Sequence, residues 1–395
     1  MTGRIEQGAA RAATAGGLQD RVHGLLPAIR ARAPQCKAMR RLPQETVAEL
    51  KAAGFFRALL PARLGGLELP PAEFFRLQVS LGEACMSTAW AGGIIAVHPF
   101  QIALMERRAQ DEVYGEDPDT LVSSAYAPVG TVAPAEGGFR LSGRWAWSSG
   151  SDHCAWALLG AIVPGEGYRT FLVPRRDYRV EDTWHSMGLE GTGSNDIVVD
   201  DAFVPEHRTH RQLDGFRLSN PGVGADSHPM YRIPWGQLFV RTVSCAAIGA
   251  CKAALALYIA AVKGPASNDP TKLAADVDTQ RRIAEAANTI DEIEAVMYRN
   301  LDRLLQRAAA AGEEIPLLER VQYRFQASLV VDKCLSVIDS LFAVAGGRSV
   351  YQGSAIQQRF LDLHVARAHI ANHPVPFARN YGHMLLGGEN RDWFV

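Results

Sequence analysis

The sequence predicts an α+β protein that is mostly helical: an N-terminal helical domain over residues 1–119, a central antiparallel β domain over 120–212 and a C-terminal antiparallel helical bundle over 213–395. Three observations predict it. Apolar residues recur at helical spacing from about residue 20 to 115. Around residue 120 the pattern changes to short aromatic and β-branched runs separated by Gly, Pro and Asp. From about residue 235 the helical period returns and persists.

In the N-terminal third, Leu42-Pro43 opens "QETVAELKAAG", which Gly54 closes, a position suited to a left-handed cap. The stretch "PPAEFFRLQVSLGEACMSTAWAGGIIAVH" then starts on prolines and runs apolar. In the middle third, "TLVSSAYAP", "GGFRLSGRWAW", "CAWALLGAIV", "YRTFLVP" and "NDIVVDDAFVP" read as strands, with a tight turn at Gly137-Gly138. In the last third, Ile283, Ile290, Met297, Leu301 and Leu304 form one stripe that Gly312 breaks, and Val330, Cys334, Val337 and Leu341 form another ahead of Gly346-Gly347. Long amphipathic helices with short connections point to an antiparallel bundle. The loop "GPASNDPTK" at 264–272 is the clearest low-order candidate.

The chain has 395 residues, 47% of them apolar, enough for a large core divided into two or three units. Lys and Arg total 41 against 42 Asp and Glu, so no overall field attracts nucleic acid or an anionic membrane. The six cysteines form no C-x-x-C pair, which fits reduced cytoplasmic thiols and disfavours zinc or any other metal. The N-terminus lacks the apolar centre of a secretory signal, and no stretch approaches ~18 uninterrupted apolar residues. These totals describe a cytoplasmic enzyme or binding protein.

Several chemistries leave no trace. There is no G-x-G-x-x-G between strand and helix to cradle a nicotinamide cofactor's pyrophosphate, no G-x-x-x-x-G-K-[ST], no H-E-x-x-H and no G-x-S-x-G. "GLEGTGSND" at 188–196 is glycine-rich but lies between strand-like segments. What does stand out is "RWAWSSGSDHC", residues 144–154, where hydroxyls and a histidine follow two tryptophans at the end of a strand. The plain reading is a turn whose hydroxyls bond their own backbone.

Read together, "RWAWSSGSDHCAW", "GLEGTGSNDIVVDDAFVPEHR" and "AGGRSVYQGSAIQQRFLDLHVARAH" resemble the acyl-CoA dehydrogenase superfamily over nearly the whole chain. More narrowly, they resemble its two-component flavin-dependent monooxygenase branch, which includes the oxygenase components of p-hydroxyphenylacetate hydroxylase and of the steroid-ring phenol hydroxylase. The resemblance implies a reduced flavin, FADH2 or FMNH2, with dioxygen as co-substrate. It also implies hydroxylation of a phenolic, indolic or polycyclic substrate through a C4a-hydroperoxyflavin. Because no nicotinamide site is legible, electrons are expected from a separate NAD(P)H:flavin reductase. A homotetramer follows from the resemblance of "AGGRSV" to a segment that meets a neighbouring subunit's flavin.

Carried over residue by residue, the resemblance implies that Trp147, Ser148 and Ser149 face the flavin, with Ser149 at N5. Thr192, Ser194, Arg232, Trp235, Gly346 and Gly347 complete the expected cofactor contacts. On the substrate side it implies His98, Ser124 and His369, with His369 as first choice for the base that takes a phenol proton and His98 as second. A histidine near its ordinary pKa of ~6.5 can take that proton near neutral pH. Trp90, Tyr126 and His373 are expected to line the substrate; some relatives carry aspartate at the position of His373. Three alternatives remain open: an acyl-CoA dehydrogenase, for which no catalytic glutamate is legible apart from Glu389 near the end of the sequence; an N-oxygenase of an amine or amino sugar; and a non-catalytic flavin-binding protein.

Overall fold

The computed structural model describes residues 2–264, 270–310 and 314–395, with the side chains of 2–16 and 270–272 undescribed. The expected loop at 264–272 and the break at Gly312 therefore fall largely or wholly outside the described residues. Five helices come first: α1 (Thr2–Met39), α2 (Gln44–Ala53), α3 (Pro71–Ala84), α4 (Met86–Leu104) and α5 (Arg107–Tyr114). Seven strands follow: β1 (Val122–Ala135), β2 (Gly138–Ser148), β3 (Trp156–Val163), β4 (Gly167–Pro174), β5 (Arg179–Glu181), β6 (Asn195–Pro205) and β7 (Thr209–Arg211). The rest is helical: α6 (Gln212–Arg217), α7 (Trp235–Lys263), α8 (Pro270–Ala275), α9 (Val277–Ala309), α10 (Leu317–Ser328), α11 (Val330–Phe342), α12 (Ala355–Arg367) and α13 (Pro374–Leu385).

Local chemistry accounts for the boundaries. Gly54 ends α2 at φ 86°, and its N–H reaches back to the carbonyls of Leu50 and Lys51. Gly137, at φ 72°, turns β1 into β2, and Ala135 pairs with Gly138. After Phe342 ends α11, Gly346 adopts φ 79° and opens a 3-10 turn, so the glycine pair lies past the helix cap.

The sheet order is β5-β6-β2-β1-β3-β4-β7. It departs from a purely antiparallel arrangement in one place, where β1 and β3 run parallel. β2 reverses after β1, and the 3-10 turn Ser151–His153 reverses the chain again, so β3 emerges in β1's direction on its other side. The three-residue edge strands β5 and β7 leave no alternating pattern in the sequence.

Helix α7 is the spine of the helical region. By length and composition it could cross a membrane, alone among the described helices. Here it is a core element: every residue from Trp235 to Cys251 is buried. Helix α3 crosses it so closely that a Cβ on Gly249 would lie 2.1 Å from the Val79 carbonyl oxygen, which only glycine allows. Helix α4 packs between α7 and the sheet, buried along its whole length. That burial delivers His98 from α4 to the first strand, where its Nδ1 donates to the Val122 carbonyl at 2.7 Å.

Candidate active site

The stretch 144–154 is built around a β-bulge. Trp145 is fully buried and donates its indole N–H to the Gly160 carbonyl at 2.8 Å. The register with β6 then shifts between Trp145 and Ser148, and Trp147 takes φ 68°. A bulge re-aims side chains: Trp147 is turned out, 71% exposed, while Ser148 and Ser149 point in at 0% and 4%. A left-handed tryptophan is strained backbone.

Ser149 sits in a line of polar contacts. Its Oγ accepts from Trp90 Nε1 at 3.2 Å and lies 2.8 Å from Ser194 Oγ. Ser194 in turn lies 2.7 Å from Thr192 Oγ1, which donates to the Leu189 carbonyl at 2.8 Å. The loop carrying Thr192 and Ser194 is pinned from the bundle: the Leu189 N–H donates to the buried carboxylate of Asp362 on α12 at 2.6 Å. Burial pushes Asp362 up to about 7, against the opposing pull of that bond.

Trp90 joins this hydroxyl line to His369. Its ring stands edge-on to the imidazole at 5.8 Å between centroids. His369 follows α12, and its Nδ1 accepts the Ala371 N–H at 3.1 Å. In the neutral ring the proton therefore sits on Nε2, which makes that nitrogen a donor. His98 has the opposite tautomer: its Nδ1–H is committed to Val122, and its buried Nε2 is an acceptor with no partner among the described residues. Both rings depart from the ordinary histidine value. Desolvation pushes His98 down to about 4, and desolvation with the nearby Arg324 charge does the same to His369.

Aromatic rings surround the two imidazoles. Phe239 is the hub, 4.8 Å from Tyr126, 5.5 Å from Trp235 and 6.5 Å from His369. His98 lies 6.3 Å from both Tyr126 and Trp235. The Tyr126 hydroxyl donates to Gln101 Oε1 at 2.5 Å, and burial holds its phenol well above the usual range, against the lowering effect of a Ser124 hydrogen bond. Sequence reasoning missed Phe239, Gln101 and Asp362; each enters through a contact remote in the chain, which no local motif records.

The remaining expected residues are placed as follows. Ser124 is 6% exposed on β1, beside Tyr126. Arg232 is half-buried in the 3-10 turn before α7. His373 is exposed at the N-cap of α13, apart from the aromatic cluster, while its neighbour Asn372 is fully buried and donates to the Val243 and Ala366 carbonyls at 2.8 and 2.9 Å. Gly346 and Gly347 are exposed beyond α11.

A flavin fits the groups present. Its ring edge is rich in carbonyls and nitrogens, and the buried Ser148 and Ser151 hydroxyls have no partner among the described residues. The outward indole of Trp147 adds an aromatic face next to them.

The fold and this hydroxyl–imidazole arrangement define an acyl-CoA dehydrogenase-like flavoprotein, and residues 241–374 match the acyl-CoA dehydrogenase C-terminal domain. The chain belongs to the oxygenase-component family of flavin-dependent monooxygenases. It is 36% identical over 369 residues to the flavin-dependent monooxygenase oxygenase subunit HsaA of Rhodococcus jostii strain RHA1, covering 90% of this chain and 94% of that one. It is 32% identical to the FADH2-dependent resorcinol hydroxylase oxygenase component of Rhizobium sp. strain MTP-10005, covering 94% of each. The crystal structure of 3-HSA hydroxylase from Rhodococcus sp. RHA1 superposes with a TM-score of 0.92 at 35% identity, over 96% of this chain and 99% of that one.

Proposed function

We propose that this chain is the oxygenase component of a two-component system that hydroxylates an aromatic substrate with reduced flavin, FADH2 or FMNH2, and dioxygen. The observation that carries the reading is the meeting at Trp90 of the Ser149 hydroxyl and the His369 imidazole, with the acceptor nitrogen of His98 across the same aromatic cluster. Bound reduced flavin supplies the two electrons that activate dioxygen.

The chain's own residues divide the remaining work. Ser149, oriented by Trp90 and Ser194, presents its hydroxyl to the flavin. Trp147, Ser148, Thr192 and Ser194 hold the ring, and Arg232, Gly346 and Gly347 belong to the wider cofactor contacts. Trp235, Phe239 and Tyr126 exclude water from the reacting atoms and pack the substrate ring, with Ser124 beside them. His98 accepts the phenol proton at Nε2, which makes the aromatic ring electron-rich; His369 donates from Nε2–H. This reverses the order in which the two histidines are expected from the sequence, and the reason is their tautomers.

The reading includes a separate NAD(P)H:flavin reductase as electron source and a homotetramer. The exposed Val350, Tyr351 and Met187 near the start of α12 support a subunit contact there. A cytoplasmic location fits six cysteines that are all reduced and buried.

The test mixes the protein with chemically reduced flavin, labelled dioxygen and a panel of phenols. Labelled oxygen in the aromatic product is the expected result. Oxygen consumption that yields hydrogen peroxide alone, for every phenol offered, overturns the reading, and flavin reduction by an acyl-CoA points to the dehydrogenase instead.

A further inference from the structure

The segment 390–395 lies against the aromatic cluster and is anchored by contacts to three helices. Asn390 Oδ1 accepts from Asn380 Nδ2 at 2.8 Å, and the Arg391 N–H donates to Asn380 Oδ1 at 2.8 Å, tying the segment to α13. Asp392 Oδ1 accepts the Phe394 N–H at 2.8 Å, and its other oxygen faces the buried Arg324 guanidinium at 3.9 Å. Arg320, also buried, donates through Nε to the Val395 carbonyl at 3.0 Å and through its fork to the Phe216 carbonyl at 2.8 Å. The backbone comes so close to α7 that a Cβ on Gly236 would stand 2.1 Å from the Phe394 carbonyl oxygen.

Two buried arginines from one helix are costly to desolvate: Arg320 hydrogen-bonds into this segment, while Arg324 donates to the Ala371 carbonyl at 3.1 Å and meets Asp392 as an ion pair at 3.9 Å. Their placement holds one ring: Phe394 packs edge-to-face on the hub Phe239 at 6.0 Å, while Trp393 packs edge-to-face outside on Phe216 at 4.8 Å. Together with Tyr126, Trp235 and Gln101 they line an open cleft of about 30 Å³.

The geometry points to Phe394, set behind Phe239 and carried by a segment held by Arg320 and Arg324, as a specificity-determining residue of the substrate pocket, its ring setting how large a phenol the enzyme accepts. The inference rests on the hydroxylase reading and adds to it the substrate's size class. With the segment docked, a substrate that reaches past Phe239 meets Phe394, and a smaller one stops at Phe239. Arg324 also lies near His369, so loosening Asp392 reaches the imidazole as well as the pocket wall.

The experiment compares phenol, 2-naphthol and a hydroxyphenanthrene in the wild type, Phe394→Ala, Phe394→Trp and Asp392→Asn. Two readouts are taken: kcat/KM with reduced flavin, and quenching of tryptophan fluorescence by each ligand in the flavin-free protein. Phe394→Ala is expected to raise the three-ring to one-ring ratio in both by roughly 10-fold or more. Asp392→Asn moves it the same way by less, and Phe394→Trp moves 2-naphthol the opposite way. Should Phe394→Ala fail to fold, the Trp and Asn variants decide alone. Unchanged ratios across the folded variants overturn the role of Phe394. A wild type that binds these ligands with the expected size order but inserts oxygen into none overturns the hydroxylase reading and leaves the pocket wall standing.

Discussion

Trp90 donates its indole N–H to Ser149 Oγ at 3.2 Å while its ring stands edge-on to His369 at 5.8 Å. One side chain on α4 thus fixes a hydroxyl at the end of β2 and an imidazole at the end of α12. Those three elements come from the three successive regions of the chain, and the site exists only where they meet.

Replacing Trp90 by Phe tests that link, because the ring is nearly kept and the donor is lost. Ser149 retains Ser194 as a partner, so the stability cost is small, about 1 kcal/mol. On the proposed role of Ser149 at the flavin, the larger effect is functional, because a hydroxyl free to rotate would hold the ring less well. The variant is expected to bind reduced flavin several-fold more weakly and to release a larger share of consumed oxygen as hydrogen peroxide, measured by titration and by a peroxidase-coupled assay.

His98 makes stability depend on pH with a definite sign. Its folded value of about 4 lies below the ordinary 6.5, so the unfolded chain binds the proton more readily. The contribution of the neutral buried ring is fully present above pH 6.5 and is lost as pH falls from there towards 4. In urea melts at pH 7 and pH 5, the wild type is expected to lose more stability than His98→Gln, by on the order of 2 kcal/mol. Equal losses in the two proteins contradict the buried neutral state. The same shift places the acid limb of kcat/KM below pH 6.5.

The three-region order of the chain was legible because helical and strand periods alternate over long stretches, and five strands carry enough β-branched residues to be read. The end of β2 was legible for another reason: five polar residues after Trp147 have no use in a sheet core. What stayed hidden is non-local. Phe239 and Phe394 look like ordinary core residues, and Asp362 supports Leu189 across 173 positions. The proposed choice of His98 over His369 could not be read from the sequence, because it turns on whether Nδ1 meets a carbonyl or an N–H, a matter of backbone placement.

Helix α7 reaches the site only because α3 can approach it. Gly249→Ala puts a methyl 2.1 Å from the Val79 carbonyl oxygen, and backbone cannot swing away as a side chain can. The helices must separate, costing roughly 1–3 kcal/mol by overpacking. Thermal unfolding is expected to fall by several degrees, whereas Gly347→Ala, with nothing within 4 Å of its new methyl, leaves it unchanged.

Trp147 separates the flavin role of the bulge from its structural role. The side chain is 71% exposed, so it contributes little burial, and its φ of 68° is a conformation that tryptophan adopts at a cost. Trp147→Gly relieves that strain and removes the indole. Were the exposed ring incidental, the variant would be at least as stable and would bind flavin normally. The hydroxylase reading instead expects unchanged or slightly raised thermal stability together with a loss of roughly 10-fold or more in reduced-flavin affinity, about 1.4 kcal/mol. Anaerobic titration of the reduced cofactor measures the affinity, and Trp145 supplies the control. That residue is fully buried and bonded to Gly160, so Trp145→Phe lowers stability by about 1 kcal/mol or more without a matching change in flavin affinity.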